Sequence, residues 1–170
     1  PLSVSSLDGG NGFAILGTSP NSSTGTSVSG AGDINGDGID DLVIGAPYTS
    51  KGSVYVVFGS NQAWVPSITV SSLDGSNGFR IDGINDADSL GTSVGTAGDI
   101  NGDGIDDLIV GATLAGTEGA YAGAGYVVFG SDQGWGNSFD LTTLNGNNGF
   151  AIVGLTQGDA AGQSVSGAGD

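Results

Sequence analysis

In 170 residues the chain carries 18 acidic side chains and only two basic ones, Lys51 and Arg80, for a formal charge of −16. That balance argues against nucleic acid, which needs a basic footprint, and against anionic membrane surfaces. With no Cys and no His there are no disulfide staples, no thiolate chemistry and no imidazole base or ligand. No apolar run reaches membrane-spanning length, so direct membrane insertion is not expected. The chain opens on Pro1-Leu2 without Met or signal peptide and is expected to be an excerpt or a processed product.

Taken in order, the chain repeats itself. Ser5-Ser6-Leu7-Asp8-Gly9-Gly10-Asn11-Gly12-Phe13 returns as Ser71-Ser72-Leu73-Asp74-Gly75-Ser76-Asn77-Gly78-Phe79, and again as Thr142-Thr143-Leu144-Asn145-Gly146-Asn147-Asn148-Gly149-Phe150. The offsets are 66 and then 71 residues, and Asp33, Asp99 and Asp170 follow the same spacing. Self-similarity at long period marks stacked units. Each unit reads as four short strands, near 26–31, 41–46, 53–58 and 78–82, then near 92–97, 107–112, 124–129 and 149–153. The N-terminal part supplies a last strand around 12–16, and the C-terminal part a first strand at 163–168.

The second and third strands are continuous apolar runs, Leu42-Val43-Ile44 and Val54-Tyr55-Val56-Val57-Phe58. Such runs fit strands buried on both faces. Helical periodicity is absent, and Gly interrupts any window long enough for a helix. Trp64, Trp135 and the Phe positions recur with the unit and are read as packing between neighbouring units. The five extra residues of the second unit fall at 113–123, where the first has only 47–52. Its Gly/Ala/Thr composition predicts an exposed, mobile loop.

The most informative stretch is Asp33-Ile34-Asn35-Gly36-Asp37-Gly38-Ile39-Asp40-Asp41, which recurs at every position as Asp99-Ile100-Asn101-Gly102-Asp103-Gly104-Ile105-Asp106-Asp107. Side-chain oxygens stand at loop positions 1, 3, 5 and 9, namely Asp33, Asn35, Asp37 and Asp41, then Asp99, Asn101, Asp103 and Asp107. Position 7, Ile39 or Ile105, offers its backbone carbonyl. A tightly wound chain giving one oxygen from every second residue suits a hard divalent cation such as Ca2+. Gly at position 6 permits the sharp turn. The bidentate Glu of the helix–loop–helix site is missing, since position 12 holds Ile44 or Val110. The loop instead runs into a strand, closed by Asp41 or Asp107. A solvated acidic turn has the same composition; two identical copies favour metal. Two complete calcium sites are therefore expected, with a third cut off at Asp170. Asp40 and Asp106 are expected to point away from the ion.

The units resemble the FG-GAP repeats of the integrin α-subunit β-propeller. Leu90-Gly91-x-Ser93-Val94 stands at the Phe-Gly position, Gly45-Ala46-Pro47 is the Gly-Ala-Pro signature, and Asp33-x-Asn35-x-Asp37-Gly38-x-x-Asp41 matches the family's calcium loop. The array is also similar to bacterial, particularly cyanobacterial, surface and secreted proteins. Two departures stand out: Thr113 replaces the signature Pro, and Ser23-Thr24-Gly25 lacks the aromatic or Leu before Gly, which implies looser packing there.

The resemblance implies an all-β fold of four-stranded antiparallel propeller blades, here a partial propeller of about two and a half repeats. Residues 1–24 would end one blade, 25–83 and 84–154 would form two, and 155–170 would begin another. The remaining blades would come from a longer chain or from neighbouring copies. The implied function is a calcium-stabilised extracellular or cell-surface module for adhesion or protein or glycan binding, with 113–123 and the acidic loop 85–89 on the binding rim. A structural repeat of a surface layer or filament is the alternative. A part of a secreted enzyme ranks third, and catalysis by this segment is not expected: most paired acids are committed to the loops and Glu118 stands alone.

Overall fold

The computed structural model describes residues 3–116 and 121–168. Three strands, β1 (Ala14–Leu16), β2 (Ser27–Gly32) and β3 (Asp41–Ala46), are followed by β4 (Ser53–Val57), β5 (Ser67–Thr69) and β6 (Gly78–Asp82). The second unit continues with β7 (Leu90–Gly98), β8 (Asp107–Ala112), β9 (Ala124–Val128), β10 (Ser138–Asp140) and β11 (Gly149–Val153). Two antiparallel four-stranded blades result, in the orders β6-β4-β3-β2 and β11-β9-β8-β7. They stand side by side as parts of a β-propeller and share one core.

Alternation within the apolar runs explains burial on both faces. Val43, Val54 and Val56 turn into one core, together with Leu108, Val110 and Val128 of the second blade. Ile44, Tyr55 and Val57 turn the other way and pack with Val70 and Leu73 against Ile15 and Trp64. The Trp positions pack between units as expected. Phe13 stacks on Trp64 with centroids 4.4 Å apart, and Phe79 on Trp135 at 4.1 Å.

Gly45 of the Gly-Ala-Pro signature has a packing reason. A Cβ there would collide with the carbonyl of Gly91, to which Ser27 Oγ donates at 2.7 Å. Gly111 and Ser93 repeat the arrangement against Gly162, with a 2.8 Å hydrogen bond. Each unit thus lays its second strand directly against the start of the next.

Several expectations need correction. Residues 163–168 form no strand; among the described residues the pairing nearby is an isolated bridge between Gly123 and Ala161. The described residues offer this segment no antiparallel neighbour of the kind β3 gives β2. Two strands were not foreseen: β5 pairs parallel with β1, and β10 parallel with β6. Each precedes a single 3₁₀ turn, Val70–Ser72 or Leu141–Thr143. Residues 117–120, Glu118 included, lie outside the described part of the insertion. Its flanks are mixed, with Leu114 and Tyr121 exposed as expected and their neighbours not. Ala115 and Ala122 are buried, and the Leu114 N–H donates to the Asp88 carbonyl at 3.1 Å. Ala115 packs into the core of the two blades.

Candidate metal centre

Each acidic loop links the first strand of a blade to the second, β2 to β3 and β7 to β8. Gly36 and Gly38 take φ of +73° and +85°, values that wind the chain tightly and that side chains disfavour. The tight winding makes the loop's own side chains its hydrogen-bond acceptors. Asp33 Oδ1 and Asn35 Oδ1 converge on one amide, that of Asp37, at 3.0 and 2.9 Å. Asp33 Oδ2 accepts from Gly38 N at 2.8 Å, and Asp37 Oδ1 from Ile39 N at 2.9 Å. The second loop repeats the set: the Asp103 amide meets Asp99 Oδ1 and Asn101 Oδ1 at 3.0 and 2.9 Å. Gly104 N donates to Asp99 Oδ2 at 2.8 Å, and Ile105 N to Asp103 Oδ1 at 2.9 Å.

Asp41 and Asp107 are placed differently from their neighbours. Both are buried, and each accepts two backbone amides. Asp41 takes Ile34 N at 3.1 Å and Gly59 N at 2.8 Å; Asp107 takes Ile100 N and Gly130 N, both at 2.9 Å. Burial pushes the Asp41 carboxyl up to about 6, with the charges of Asp37 and Asp33 adding to the rise against the pull of the two amides. Asp107 is raised in the same way, by burial first and by the Asp103 charge besides. These carboxylates tie the foot of the loop to the start of the β3 or β8 strand and to Gly59 or Gly130, just beyond the third strand.

The gathered oxygens at the loop tip are thus two carboxylates and one amide, with the carbonyl of the seventh residue following. No cluster of three or more Asp, Glu, His or Cys side chains is assembled as a metal set among the described residues. The donor chemistry nonetheless fits a hard cation: every candidate atom is oxygen, and Asp33 and Asn35 already converge. The two basic side chains are engaged elsewhere. Arg80 pairs with Asp82 at 3.0 Å, and Lys51 Nζ donates to the Ile84 carbonyl at 2.9 Å.

Asp106 has a role that the loop pattern hid. It points away from its own loop tip, and its Oδ2 accepts from Asp33 N of the other loop at 2.9 Å. Asp106 N donates back to the Asp33 carbonyl at 3.2 Å, and Ser131 N to that of Ile34 at 3.0 Å. Asp40, its counterpart, is exposed. Identical loops gave no signal for this; only the spatial order of the blades separates them.

The recurrent Leu-(Asp/Asn)-Gly-x-Asn-Gly-Phe motif closes a turn. Asn77 Oδ1 accepts from Asp74 N at 3.1 Å, while its Nδ2 donates to the Ser72 carbonyl at 3.1 Å. Loops 85–89 and 113–123 meet through Asp88 and Leu114 at the far end of the strands from the acidic loops. No helix of the described residues is long and apolar enough to cross a membrane.

The FG-GAP repeat family matches residues 24–57 and 90–128, which frame the first three strands of each blade and both acidic loops. Phosphatidylinositol-glycan-specific phospholipase D of Bos taurus is 36% identical over 131 residues, 73% of this chain and 15% of the enzyme. Integrin alpha pat-2 of Caenorhabditis elegans is 34% identical over 110 residues, 63% of this chain and 9% of that protein. Integrin alpha-PS5 of Drosophila melanogaster is 36% identical over 104 residues, 61% of this chain and 10% of that protein. The chain therefore spans a small fraction of these relatives. With both matched segments lying on the twice-built blade, the chain belongs to the FG-GAP repeat family.

Proposed function

We propose that the two acidic loops bind calcium and stabilise an extracellular or cell-surface propeller segment that serves adhesion or the binding of a protein or glycan. The observation carrying this is the pair of nine-residue loops, identical in sequence and folded onto the same converging oxygens. Asp33, Asn35, Asp37, the Ile39 carbonyl and Asp41 would hold one ion. Asp99, Asn101, Asp103, the Ile105 carbonyl and Asp107 would hold the other. A cation there supplies positive charge that no nearby side chain provides. The likeness to integrin α-subunits supports the surface location. The likeness to a phospholipase covers too little of that enzyme to transfer its activity, and the segment is read as non-catalytic. A repeat of a surface layer or filament is the second reading, favoured by the open edge of β11. Regular fibres or sheets in electron micrographs would select it.

Calorimetry and thermal unfolding, with calcium titrated against chelator, test the metal reading. Uptake at two sites is expected, each adding roughly 1.4 kcal/mol at free calcium near ten times Kd. Asp37→Ala and Asp103→Ala should each remove one site. No heat and an unmoved Tm would leave the loops as acidic turns.

A further inference from the structure

The rim opposite the acidic loops carries a cleft at each junction between units. The first lies between Thr18 and Ser19, just after β1, and the β3–β4 hairpin and β6 end of the first blade; it encloses about 290 Å³. The second lies between the two complete blades and encloses about 430 Å³. They are the same place in the repeat. Thr18 corresponds to Ile84, Ser53 to Ala124, Tyr55 to Tyr126, Arg80 to Ala151 and Asp82 to Val153. The second cleft is open although complete blades form both of its walls, so the opening is built by the junction itself.

The two clefts differ in chemistry. The second is lined mostly by Ala, Gly and aliphatic side chains, so the junction packs without polar groups. The first gathers both cations of the chain, Lys51 and Arg80, with hydroxyls from both walls. Its polar side chains are linked. Arg80 pairs with Asp82 at 3.0 Å, Ser53 Oγ donates to Asp82 Oδ1 at 2.8 Å, and Thr49 and Ser53 share a hydrogen bond of 3.0 Å. Such linkage orients each group before a ligand arrives. Tyr55 lines the cleft and is 7% exposed, and its hydroxyl has no hydrogen-bond partner among the described residues. A phenol so enclosed usually finds a partner.

Charge narrows the ligand. Arg80 is matched by Asp82, and Lys51 by Asp140, whose carboxyl is held below the usual range chiefly by Thr142 and in part by Lys51. Lys51 Nζ also donates to the Ile84 carbonyl at 2.9 Å. The cleft therefore has no surplus charge for a carboxylate or sulfate, and the molecule's charge of −16 repels one. It presents guanidinium, carboxylate and hydroxyls side by side. Neighbouring ring hydroxyls, each both donor and acceptor, match that mixture.

We propose, deepening the ligand-binding reading above and resting on it, that the first cleft binds a neutral saccharide, whose ring hydroxyls bridge Arg80, Asp82 and Tyr55 on one wall and Thr18 and Ser19 on the other.

The test titrates glucose, galactose, mannose and N-acetylglucosamine, with glucuronate as the anionic control, into the isotope-labelled full chain in calcium, followed by NMR. At least one neutral sugar should give saturable shifts at the amides of Lys51–Ser53 and Arg80–Asp82. Arg80→Ala and Asp82→Val install side chains that the second blade already carries at these places, so the fold should be kept. Together they should weaken the sugar about tenfold or more. Tyr55→Phe, which removes only the hydroxyl, should weaken it by a smaller factor. No saturable shift with any of these sugars at high millimolar concentration overturns the proposal. So does equal binding by the double variant, or glucuronate binding more tightly than glucose at these residues. A sugar that shifts only residues elsewhere overturns the cleft and leaves the ligand-binding reading standing, while calcium uptake, read separately by calorimetry, decides the metal part of that reading.

Discussion

Asp106 and Asp40 occupy the same place in identical sequences and have different surroundings among the described residues. Asp106 is half-buried and hydrogen-bonded to the other loop; Asp40 is exposed. Hydrogen bonds to a charged acceptor contribute more than neutral ones, so Asp106→Ala should cost about 1.5–3 kcal/mol. Asp40→Ala should leave the urea midpoint unchanged, and equal midpoints for the two variants would refute the assignment. A second prediction concerns Asp41. Its native carboxyl titrates near 6, above the ordinary value of roughly 4. The native state therefore binds the proton more tightly than the unfolded chain, and stability rises as pH falls through about 6. Asp107 acts in the same direction. Asp74, Asp140 and Asp159, held below the usual range chiefly by Ser76, Thr142 and Thr156, stay ionised in that window. In chelator, Tm should increase between about pH 7 and pH 5. In calcium the order should reverse, since the ion requires the ionised carboxylate. Melting curves in both buffers check the sign.

At the scale of elements, the second strands, β3 and β8, and the fourth strands, β6 and β11, were legible to the residue. Apolar β-branched runs mark β3 and β8, whose residues are nearly all buried, and the recurring Gly-Phe marks the starts of β6 and β11. The acidic loops were equally legible, because spacing and Gly placement carry their chemistry locally. β5 and β10 were not. Ser67-Ile68-Thr69 and Ser138-Phe139-Asp140 are too short to show a period, and their partners lie in another unit. Local sequence likewise could not show that Asp106 reaches across 73 positions to Asp33. The Trp that announces β5 or β10 is testable directly. Trp135 is stacked on Phe79, and its Nε1 is buried without a partner. Trp135→Ala should cost about 3–5 kcal/mol. Trp135→Phe keeps a stacked ring and removes the orphaned donor, so denaturation should show a markedly smaller loss.

Across the whole molecule, stability is uneven. β4 is buried along its full length and flanked by strands on both sides, whereas β11 is an edge with its last three residues exposed. Native-state hydrogen exchange should therefore find the slowest amides in Val54–Val57 and faster ones at Ala151–Val153. Equal protection at the two would contradict the asymmetry between the blades. The signature Gly45 and Gly111, read from sequence as family marks, turn out to set the spacing between consecutive units.

The carboxylate that joins the two loops gives the array a direction. Asp33 supplies candidate ligand oxygens to its own loop while its backbone amide is held by the next one. On the calcium reading, an ion at Asp99–Asp107 that orders this loop also fixes Asp106, and so lowers the entropic cost of filling the loop before it. Occupancy then becomes cooperative between nearest neighbours, as in a one-dimensional chain of coupled switches. The coupling would be reciprocal, each loop favouring the other equally, and Asp106 would be the link through which it passes.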